Sequence, residues 1–370
     1  MGVELTRMRH EPGESRSAMS EFARRLTEWH ARHGRHDLPW QASRDPYRVW
    51  LSEIMLQQTR VDTVIPYYTR FLARFPDLAA LAAAHADDVL ALWSGLGYYA
   101  RGRNLHRAAR RVVDAHGGAF PRRAADIAAL PGIGRSTAAA IAAFAFGERA
   151  AILDGNVKRV LCRAFGVDGF PGERAVETRL WALAEELLPD SGVGTYIQAQ
   201  MDLGATVCTR SRPACGQCPL ADVCVARREA RVAELPAARP RKAVPQRRVR
   251  VVALVRQGHV LLERRPPAGI WGGLLSLPEV PEAEEDAGRW VTARFGIATG
   301  AATQLAIVNH AFTHFRLEIT PLRFDAGGPP HALAEPDHCW LALGEHAAAG
   351  LPTPVRRILD ALADERARAG

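Results

Sequence analysis

Four cysteines lie within seventeen residues, with the spacing C-x6-C-x2-C-x5-C; they are Cys208, Cys215, Cys218 and Cys224. Structural zinc sites usually pair two C-x2-C knuckles across a longer loop, whereas this run has one such knuckle with unequal flanks. The spacing therefore favours a four-thiolate iron–sulfur cluster, and we expect one [4Fe-4S] cluster as the cofactor. Zinc is the alternative metal, and disulfides are rare in a chain without an export signal.

A second chemical motif is the turn Leu130-Pro131-Gly132-Ile133-Gly134, which joins two helical segments. Its glycines let the backbone approach a ligand closely at the N-terminus of the second helix, where unpaired amides attract an anion. Such a turn also occurs where two short helices merely pack together. With a basic chain and the four cysteines downstream, we predict that Gly132 and Gly134 bind a phosphate group.

The elements that hold these motifs belong to a chain of 370 residues, a length that suggests two or three domains. Its 48% hydrophobic and 24% charged residues indicate a folded protein and exclude a disordered, collagen-like or small disulfide-rich protein. No apolar run reaches the roughly 18 residues of a membrane span. The polar segment 1–18 contains no apolar stretch with a cleavage site, so we expect a cytoplasmic protein with no membrane partner.

The positive charge is concentrated in one segment. The formal charge of the chain is +8, which favours a polyanionic partner, and residues 227–250 alone carry a net charge of +7. Three prolines and the lack of a sustained apolar period predict an extended basic linker at 226–247. Its charges are either solvated or lie along a phosphate backbone.

Hydrophobic periodicity changes at this linker. Before it, apolar residues recur at helical spacing and predict an all-α region over 19–225. After it, alternating β-branched residues predict a separate α+β domain over 248–370. The predicted helices are 20–34, 45–58, 61–75, 87–93, 103–116, 126–130, 135–146, 157–165, 173–187 and 195–204, and the predicted strands are 248–256, 260–264, 304–308 and 315–324.

Several longer runs resemble one known family. They are LPW at 38–40, PYRVWLSEIMLQQT at 46–59, GLGYYAR at 95–101 and ILDGNVKRV at 152–160. Together with the hairpin and the cysteines, they are similar to the MutY family of adenine DNA glycosylases in the helix-hairpin-helix, endonuclease III superfamily. The resemblance covers the chain from about Leu38. It implies a multidomain fold, in which an all-α helix-hairpin-helix glycosylase with an iron–sulfur cluster lobe is followed by an α+β Nudix-like domain.

The resemblance also implies a reaction, the removal of adenine mispaired with 8-oxoguanine or guanine in duplex DNA. Such cleavage needs an acid that protonates the leaving purine and an anion near the sugar carbon that becomes cationic. The resemblance assigns Glu53 as the acid and Asp154 as the anion. Partial burial among apolar neighbours would raise the pKa of Glu53, which by residue type alone is a solvent-facing helix carboxylate. Asp154 also suits a helix N-cap, whose amides would help to keep it ionised.

One substitution within the motif predicts the product. The position that carries the Schiff-base lysine in bifunctional relatives is Ser136 here, and the only lysines of the chain are Lys158 and Lys242. We therefore predict a monofunctional enzyme that leaves an intact strand with an abasic site. By resemblance, Ser136 and Asn156 lie beside the catalytic carboxylate and the sugar.

Extrusion of the target base requires side chains that fill the gap and others that receive the base. By resemblance, Gln58 and Tyr98 insert into the helix around the orphan 8-oxoguanine. Trp40 and Leu56 match residues that line the adenine pocket, although a Trp or Leu at helical spacing is more often a core residue. The charged run 101–103 is expected to be a solvated face or a phosphate contact.

The C-terminal part resembles a Nudix domain that has lost its catalytic signature. In the aligned stretch 289–297, Trp290, Ala293 and Arg294 stand where the metal-binding glutamates of R-E-x-x-x-E-E-x-G would be. Nucleotide hydrolysis is therefore not expected. Phe312-Thr313-His314 matches a family loop that usually reads Phe-Ser-His and contacts 8-oxoguanine. Thr313 keeps the hydroxyl and adds a methyl group, and His314 could equally be an ordinary strand histidine.

Three other functions are compatible with parts of the sequence. An endonuclease III-like enzyme for oxidised pyrimidines is disfavoured by Ser136 and by the C-terminal third of the chain. A non-catalytic DNA-binding protein would not need both Glu53 and Asp154. A Nudix hydrolase would need the missing glutamates. We expect duplex DNA to be the partner of a monomeric protein, since two lobes can enclose DNA without a second subunit.

Overall fold

The computed structural model describes residues 12–239, 244–266, 269–312, 314–326 and 337–369. Contacts divide the chain into two compact units. The first unit consists of residues 1–82 and 107–240, and the second of residues 83–106 and 241–370. The second unit therefore includes a helical segment from the middle of the sequence, which the sequence patterns do not predict.

Helices fill the described chain up to residue 228, which confirms the predicted all-α region. None of the described helices is long and apolar enough to span a bilayer. The α-helices are α1 Pro12–His33, α2 Pro46–Leu56, α3 Val61–Arg74, α4 Leu78–Ala83, α5 Ala86–Trp93, α6 Ala100–His116, α7 Ala124–Ala128, α8 Arg135–Phe146, α9 Gly155–Phe165, α10 Arg174–Glu186, α11 Val193–Asp202 and α12 Val225–Arg228. A π-helical turn, Leu203–Val207, continues α11, and a 3-10 turn spans Cys215–Gln217.

Several helices begin or end a few residues from the predicted positions, and α4 and α12 are additional; α1 and α11 show the physical reasons. Helix α1 begins at Pro12, eight residues before the predicted start at residue 20. Proline is favoured in a first turn because the N–H that it lacks would be unpaired there. The helix predicted over 195–204 changes to a π-helical turn after Asp202, where Cys208 N donates to Leu203 O at 2.7 Å.

A core of apolar side chains from several helices holds the first unit together. Leu26 and Trp29 of α1 pack in this core with Val157 and Leu161 of α9 and with Leu203. Full burial of such side chains contributes about 1.5–3 kcal/mol each. The core thus fixes the start of α9 and the π-helical turn relative to α1.

The predicted linker is folded in part. Residues 226–228 belong to α12, residues 229–239 follow it as turns and coil within the first unit, and Arg163 Nε donates to Leu235 O at 2.8 Å. Arg231 forms ion pairs with Asp168 and with Glu234. The prediction of an extended linker is wrong for this stretch, because Asp168 in the loop after α9 and Glu234 of the stretch itself neutralise part of its charge. Residues 240–243 lie outside the described residues.

The second unit contains a mixed sheet with helices on both faces, which confirms the predicted α+β domain. Strand order is β3-β2-β1-β7-β5, with β4 beside β1, β6 beside β7 and β8 beside β2. Strands β1 and β7 run parallel, and Val249 is in register with Ile319. The elements are β1 Gln246–Arg256, β2 His259–Arg264, β3 Leu275–Ser276, β4 Glu279–Val280, α13 Ala287–Phe295, β5 Thr303–Gln304, β6 Val308–Ala311, β7 Arg316–Asp325, β8 His338–Ala342, a 3-10 turn His346–Ala348 and α14 Thr353–Ala369.

Side chains of β1 alternate between two cores. Val251, Ala253 and Val255 pack in the core that contains α14, whereas Val252 and Leu254 pack in the core that contains α13. The strand predicted over 304–308 is wrong, since β5 and β6 pair separately with β7. Pro321 of β7 has no N–H to continue the ladder at this point.

Candidate active site

The two predicted catalytic carboxylates lie at defined points of two helices in the first unit. Helix α2, which is capped at its start by the side chain of Asp45, carries Glu53 in its second half. Asp154 is the N-cap of α9, and its Oδ1 accepts a hydrogen bond from Val157 N at 2.8 Å. The N-cap that the sequence predicts is therefore present.

One cavity of about 530 Å³ brings the predicted catalytic and base-pocket residues together. The predicted residues that line it are Trp40, Glu53, Leu56, Ser136, Asp154 and Asn156. A second cavity of about 520 Å³ is lined by Trp40 and Glu53 as well, and Gln198 borders both. The walls combine two carboxylates, amides and a hydroxyl with an aromatic ring, which suits a polar, planar ligand.

The pKa values of both carboxyl groups are raised, by different combinations of burial, charge and hydrogen bonds. Burial, together with the negative charge of Asp154, raises the pKa of Glu53 to about 8. Burial also raises the pKa of Asp154, and the amides of Val157 and Asn156 and the charge of Arg159 oppose that rise. The amides of the helix terminus thus lower the pKa of Asp154, as predicted, but desolvation outweighs them and the net shift is upward.

Neighbouring side chains hold the Asp154 segment in place. Asn156 Nδ2 donates to Asp154 Oδ2 at 3.2 Å, and Ser136 Oγ accepts from Leu153 N at 3.0 Å. Ser136 therefore connects the first turn of α8 to the residue before Asp154. Asn156 and Ser136 thus hold Asp154 and the residue before it, and they can fix the position of the carboxylate.

Arg159, which was not among the predicted site residues, links the carboxylate segment to the four-cysteine loop. Its Nη2 donates to Asn156 Oδ1 at 2.8 Å and to Gly204 O at 2.6 Å, and its Nε donates to Cys208 O at 2.7 Å. The spacing i, i+3 between Asn156 and Arg159 on one helix is the signal that could have identified this contact.

The four cysteines line one small cavity, beside Arg163. Arg163 Nη1 donates to Cys208 Sγ at 3.4 Å, and Cys224 Sγ donates to Arg163 O at 3.3 Å. Across the described ranges, no three His, Cys, Asp or Glu side chains are grouped closely enough to hold a single metal ion. Four thiols spread around a cavity fit an iron–sulfur cluster, which separates its ligands, better than one zinc ion.

The predicted phosphate-binding turn lies between α7 and α8. Gly132 adopts a left-handed φ of 78°, and Gly134 is the N-cap of α8. Within the described chain no side chain caps this helix start, so the first-turn amides of α8 are available to an anion.

The two residues predicted to insert into DNA are both displayed on turns. Gln58 follows the end of α2, is exposed and has a φ of 57°. Tyr98 belongs to the second unit, is 49% exposed and has a φ of 49°. Left-handed backbone is uncommon for residues other than glycine. Tyr98 is thus a large side chain that is exposed and does not belong to the buried core of the described residues.

The predicted lesion-reading loop lies between β6 and β7 of the second unit. The ring of Phe312 stacks on Phe315 with a centroid separation of 4.4 Å and lies 5.7 Å from the ring of Trp271. His314 is exposed, and Thr313 lies outside the described residues. His314 is therefore accessible to a ligand in this loop.

The helix that would carry metal ligands in a Nudix hydrolase is α13. Arg294 Nη2 lies 3.7 Å from Glu263 Oε2, and the ring of Trp290 packs on Phe295. The guanidinium of Arg294 therefore occupies a position where a Nudix hydrolase would have a cation-binding glutamate, and it lies beside the carboxylate of Glu263. This arrangement agrees with the sequence, which lacks the glutamates.

Comparisons with known families match three parts of the chain. Residues 51–186 match the HhH-GPD superfamily of base excision DNA repair proteins. Residues 208–224 match the iron-sulfur binding domain of endonuclease III, and residues 250–361 match the NUDIX domain.

Relatives match over nearly the whole chain. An adenine DNA glycosylase of Buchnera aphidicola (subsp. Acyrthosiphon pisum) is 36% identical over 341 residues, which cover 92% of this chain and 97% of the relative. An adenine DNA glycosylase of Mus musculus is 34% identical, with 94% of this chain and 79% of the relative covered.

Solved structures resemble the helical part. A thermostable thymine-DNA glycosylase is 29% identical, has a TM-score of 0.53 and covers 59% of this chain and 98% of its own. Endonuclease III in a non-covalent complex with DNA is 19% identical, has a TM-score of 0.50 and covers 58% of this chain and 97% of its own. The latter similarity concerns the fold alone.

Proposed function

This chain belongs to the adenine DNA glycosylases, and from that premise we propose that it excises adenine paired with 8-oxoguanine or guanine in duplex DNA and leaves an abasic site. As a DNA glycosylase it acts on N-glycosyl bonds, and residues 208–224 bind an iron–sulfur cluster. The observation that carries the proposed mechanism is the cavity shared by Glu53 and Asp154, in which the pKa of Glu53 is raised to about 8.

Glu53 is the proton donor in this mechanism. With a pKa of about 8 it is protonated at neutral pH, and it gives its proton to adenine N7 as the bond between the base and the sugar C1′ breaks. The bonding electrons leave with the base, so that adenine departs neutral and Glu53 becomes a carboxylate. A water molecule then adds to C1′, and the proton that it loses restores the acid form of Glu53.

Asp154 stabilises the sugar cation that forms between these steps. Burial raises its pKa, but a positive charge developing on the sugar favours the ionised carboxylate. Asn156 and Ser136 keep the carboxylate segment in position through the hydrogen bonds described above. Trp40 and Leu56 form the apolar part of the wall that receives the extruded adenine.

We propose that the enzyme is monofunctional. Strand cleavage through a Schiff base needs an amine at C1′, and the residue beside Asp154 on α8 is Ser136. A hydroxyl cannot form that adduct, so the product strand stays intact until alkali or another enzyme cleaves it.

DNA contacts follow from the two glycines and the two displayed side chains. We propose that the α8 N-terminus at Gly132 and Gly134 binds a phosphate, and that Gln58 and Tyr98 fill the space left by the extruded adenine. Extrusion costs a few kcal/mol, which such inserted side chains offset.

We propose that Cys208, Cys215, Cys218 and Cys224 hold one [4Fe-4S] cluster, with zinc as the weaker alternative. When bound, the cluster supplies four covalent links that hold the loop 208–224 in one conformation. Burial raises the pKa of Cys208, and the hydrogen bond from Arg163 Nη1 to Cys208 Sγ opposes that rise.

The remaining assignments concern the whole chain. We propose a glycosylase region at 19–225, which also includes the folded residues 12–18 and 226–239, and an 8-oxoguanine-reading domain at 248–370 that does not hydrolyse nucleotides. Phe312, Thr313 and His314 would contact the lesion. The protein would act as a monomer on DNA in the cytoplasm.

The test is release of free base from a panel of duplexes, measured by chromatography with cluster-loaded protein. Adenine opposite 8-oxoguanine or guanine should be released, whereas oxidised pyrimidines should remain and nucleoside triphosphates with Mg²⁺ should not yield phosphate. Release of an oxidised pyrimidine in place of adenine would overturn the proposal in favour of an endonuclease III-like activity.

A further inference from the structure

Side chains on both sides of Tyr98 donate hydrogen bonds that stabilise the backbone of its turn. Trp93 Nε1 donates to Gly97 O at 3.2 Å, and Arg101 Nη2 donates to the same oxygen at 3.2 Å. The Arg101 guanidinium lies 5.6 Å from the Trp93 ring centre and 5.5 Å from that of Tyr98. Arg101 is 9% exposed, so the prediction of a solvated face at 101–103 is wrong for this residue. The backbone of the turn is thereby held while the Tyr98 ring stays accessible.

Two hydroxyl groups connect this turn to the C-terminal part of the second unit. Ser94 Oγ and Tyr99 Oη, on either side of the turn, donate to one acceptor, Leu351 O, at 2.9 and 3.2 Å. Arg356 Nη2 donates in turn to Ser94 Oγ at 3.0 Å. Leu351 is fully buried just before α14, so core packing holds its backbone carbonyl in place.

A second set of contacts reaches the loop next to the lesion reader. Arg103 Nη1 donates to Gly272 O at 2.5 Å, and the preceding residue, Trp271, contacts the ring of Phe312. At the start of α5, Asp87 accepts two hydrogen bonds from Arg264, at 2.7 and 2.9 Å. The segment 86–103 is therefore attached to the C-terminal part at three separate points.

We propose that the C-terminal part of the second unit positions Tyr98 for insertion into DNA, with Ser94, Tyr99 and Arg103 as positioning residues. The same body then carries the lesion-reading loop and the inserted side chain, so that recognition of 8-oxoguanine and extrusion of adenine are mechanically coupled. This inference rests on the proposed function, because it takes Tyr98 to be an inserting residue.

The physical basis is preorganisation. If the Tyr98 turn became ordered only when DNA binds, the loss of conformational entropy would lower the fraction of bound enzyme that is ready to react. A turn that is already fixed in the free protein avoids this loss. Loss of an anchor should therefore slow base excision on bound DNA more than it lowers the stability of the fold. The effect should also depend on the presence of the Tyr98 ring.

The test removes a single hydroxyl. In the full-length, cluster-loaded protein, Tyr99→Phe should slow single-turnover excision of adenine opposite 8-oxoguanine by roughly fivefold to tenfold, as loss of one hydrogen bond allows. Tyr47→Phe is the matched control, because Tyr47 is also buried and its hydroxyl also donates to a backbone oxygen, Phe75 O, at 2.7 Å. The control should stay within about twofold of the wild type. Ser94→Ala, which removes the other donor to Leu351 O, should behave like Tyr99→Phe.

A double-mutant cycle separates positioning from general damage. In a Tyr98→Ala background, Tyr99→Phe should slow excision by less than about twofold, because the ring that it positions is absent. Equal effects of Tyr99→Phe with and without Tyr98 would overturn the inference, and so would wild-type rates for Tyr99→Phe and Ser94→Ala. The wild-type rate in the same assay tests the proposed function independently, since an inactive wild type would refute that function before any variant is compared.

Discussion

Asp154 and Glu53 line one cavity, and the negative charge of Asp154 adds to burial in raising the pKa of Glu53 to about 8. Two carboxyl groups in a confined space share protons unequally, so that one can serve as an acid while the other serves as an anion. The apolar neighbours of Glu53 and the amides at the start of α9 decide which group takes which role.

The raised pKa of Glu53 predicts the alkaline limb of the pH profile. Because Glu53 must be protonated to act, kcat/KM for adenine release should fall as the pH rises through about 8. On the acid side, activity should fall where Asp154 becomes protonated, above the usual pKa range of an aspartate. Rates measured between pH 5 and pH 10 would check both limbs, and a rate that is flat from pH 6 to pH 10 would contradict the role of Glu53.

Glu53→Gln separates catalysis from stability. Removal of the acid should slow adenine release by about 100-fold or more. The folded-state pKa of Glu53 is raised, so the wild type loses stability as the pH rises from the unfolded value toward about 8. Thermal denaturation should therefore show that the advantage of Glu53→Gln in melting temperature grows from pH 5 to pH 8. A Glu53→Gln variant that is less stable than the wild type at pH 8 would contradict the raised pKa of Glu53.

Two substitutions distinguish the charge of Asp154 from its capping role. Asp154→Asn keeps an oxygen that can accept from Val157 N, whereas Asp154→Ala removes it. Both variants should lose about 100-fold or more in single-turnover rate, as is usual when a transition-state charge partner is removed. Only Asp154→Ala should lose about 1 kcal/mol or more in unfolding free energy, measured with urea. Equal stabilities of the two variants would show that the cap contributes nothing.

Gly204 allows close approach of the π-helical turn to Asn156. A Cβ at position 204 would lie 2.5 Å from Asn156 Cβ and 3.0 Å from its Cα, so Gly204→Ala must displace the start of α9. We expect at least a tenfold loss of adenine release, roughly the effect of a 1.4 kcal/mol loss in transition-state stabilisation. Gly194→Ala is the control, because a Cβ there would meet Ala143 O at an ordinary 3.5 Å. Unchanged activity of Gly204→Ala would show that Asn156 need not be held in place.

The cysteine cavity predicts which thiols are needed for iron. Cys218→Ser should lower the iron content per chain and weaken binding to duplex DNA, because the loop 208–224 loses one of its four links. Cys339→Ser, at a half-buried cysteine in β8, should keep the full iron content. Iron analysis of the purified variants checks this, and equal iron in both would contradict the assignment of the four ligands.

Features that depend on local sequence could be predicted, and features that depend on distant contacts could not. The cap at Asp154 and the glycines at 132 and 134 follow from neighbours within a few residues, and the structure contains all of them. Arg159 was overlooked although its spacing from Asn156 is visible in the sequence. By contrast, the contact between Gly204 and Asn156 and the bonds from Ser94 to Leu351 join residues 48 and 257 positions apart. Periodicity carries no information about such pairs.

The most direct test of the central claim is a single-turnover assay on a duplex with one adenine opposite 8-oxoguanine, labelled on the adenine strand. Products are separated with and without hot alkali, for the cluster-loaded wild type and for Glu53→Gln. We predict strand cleavage at that adenine only after alkali for the wild type, and about 100-fold slower product formation for Glu53→Gln. Cleavage without alkali at the rate of base release, or an unchanged rate for Glu53→Gln, would contradict the account.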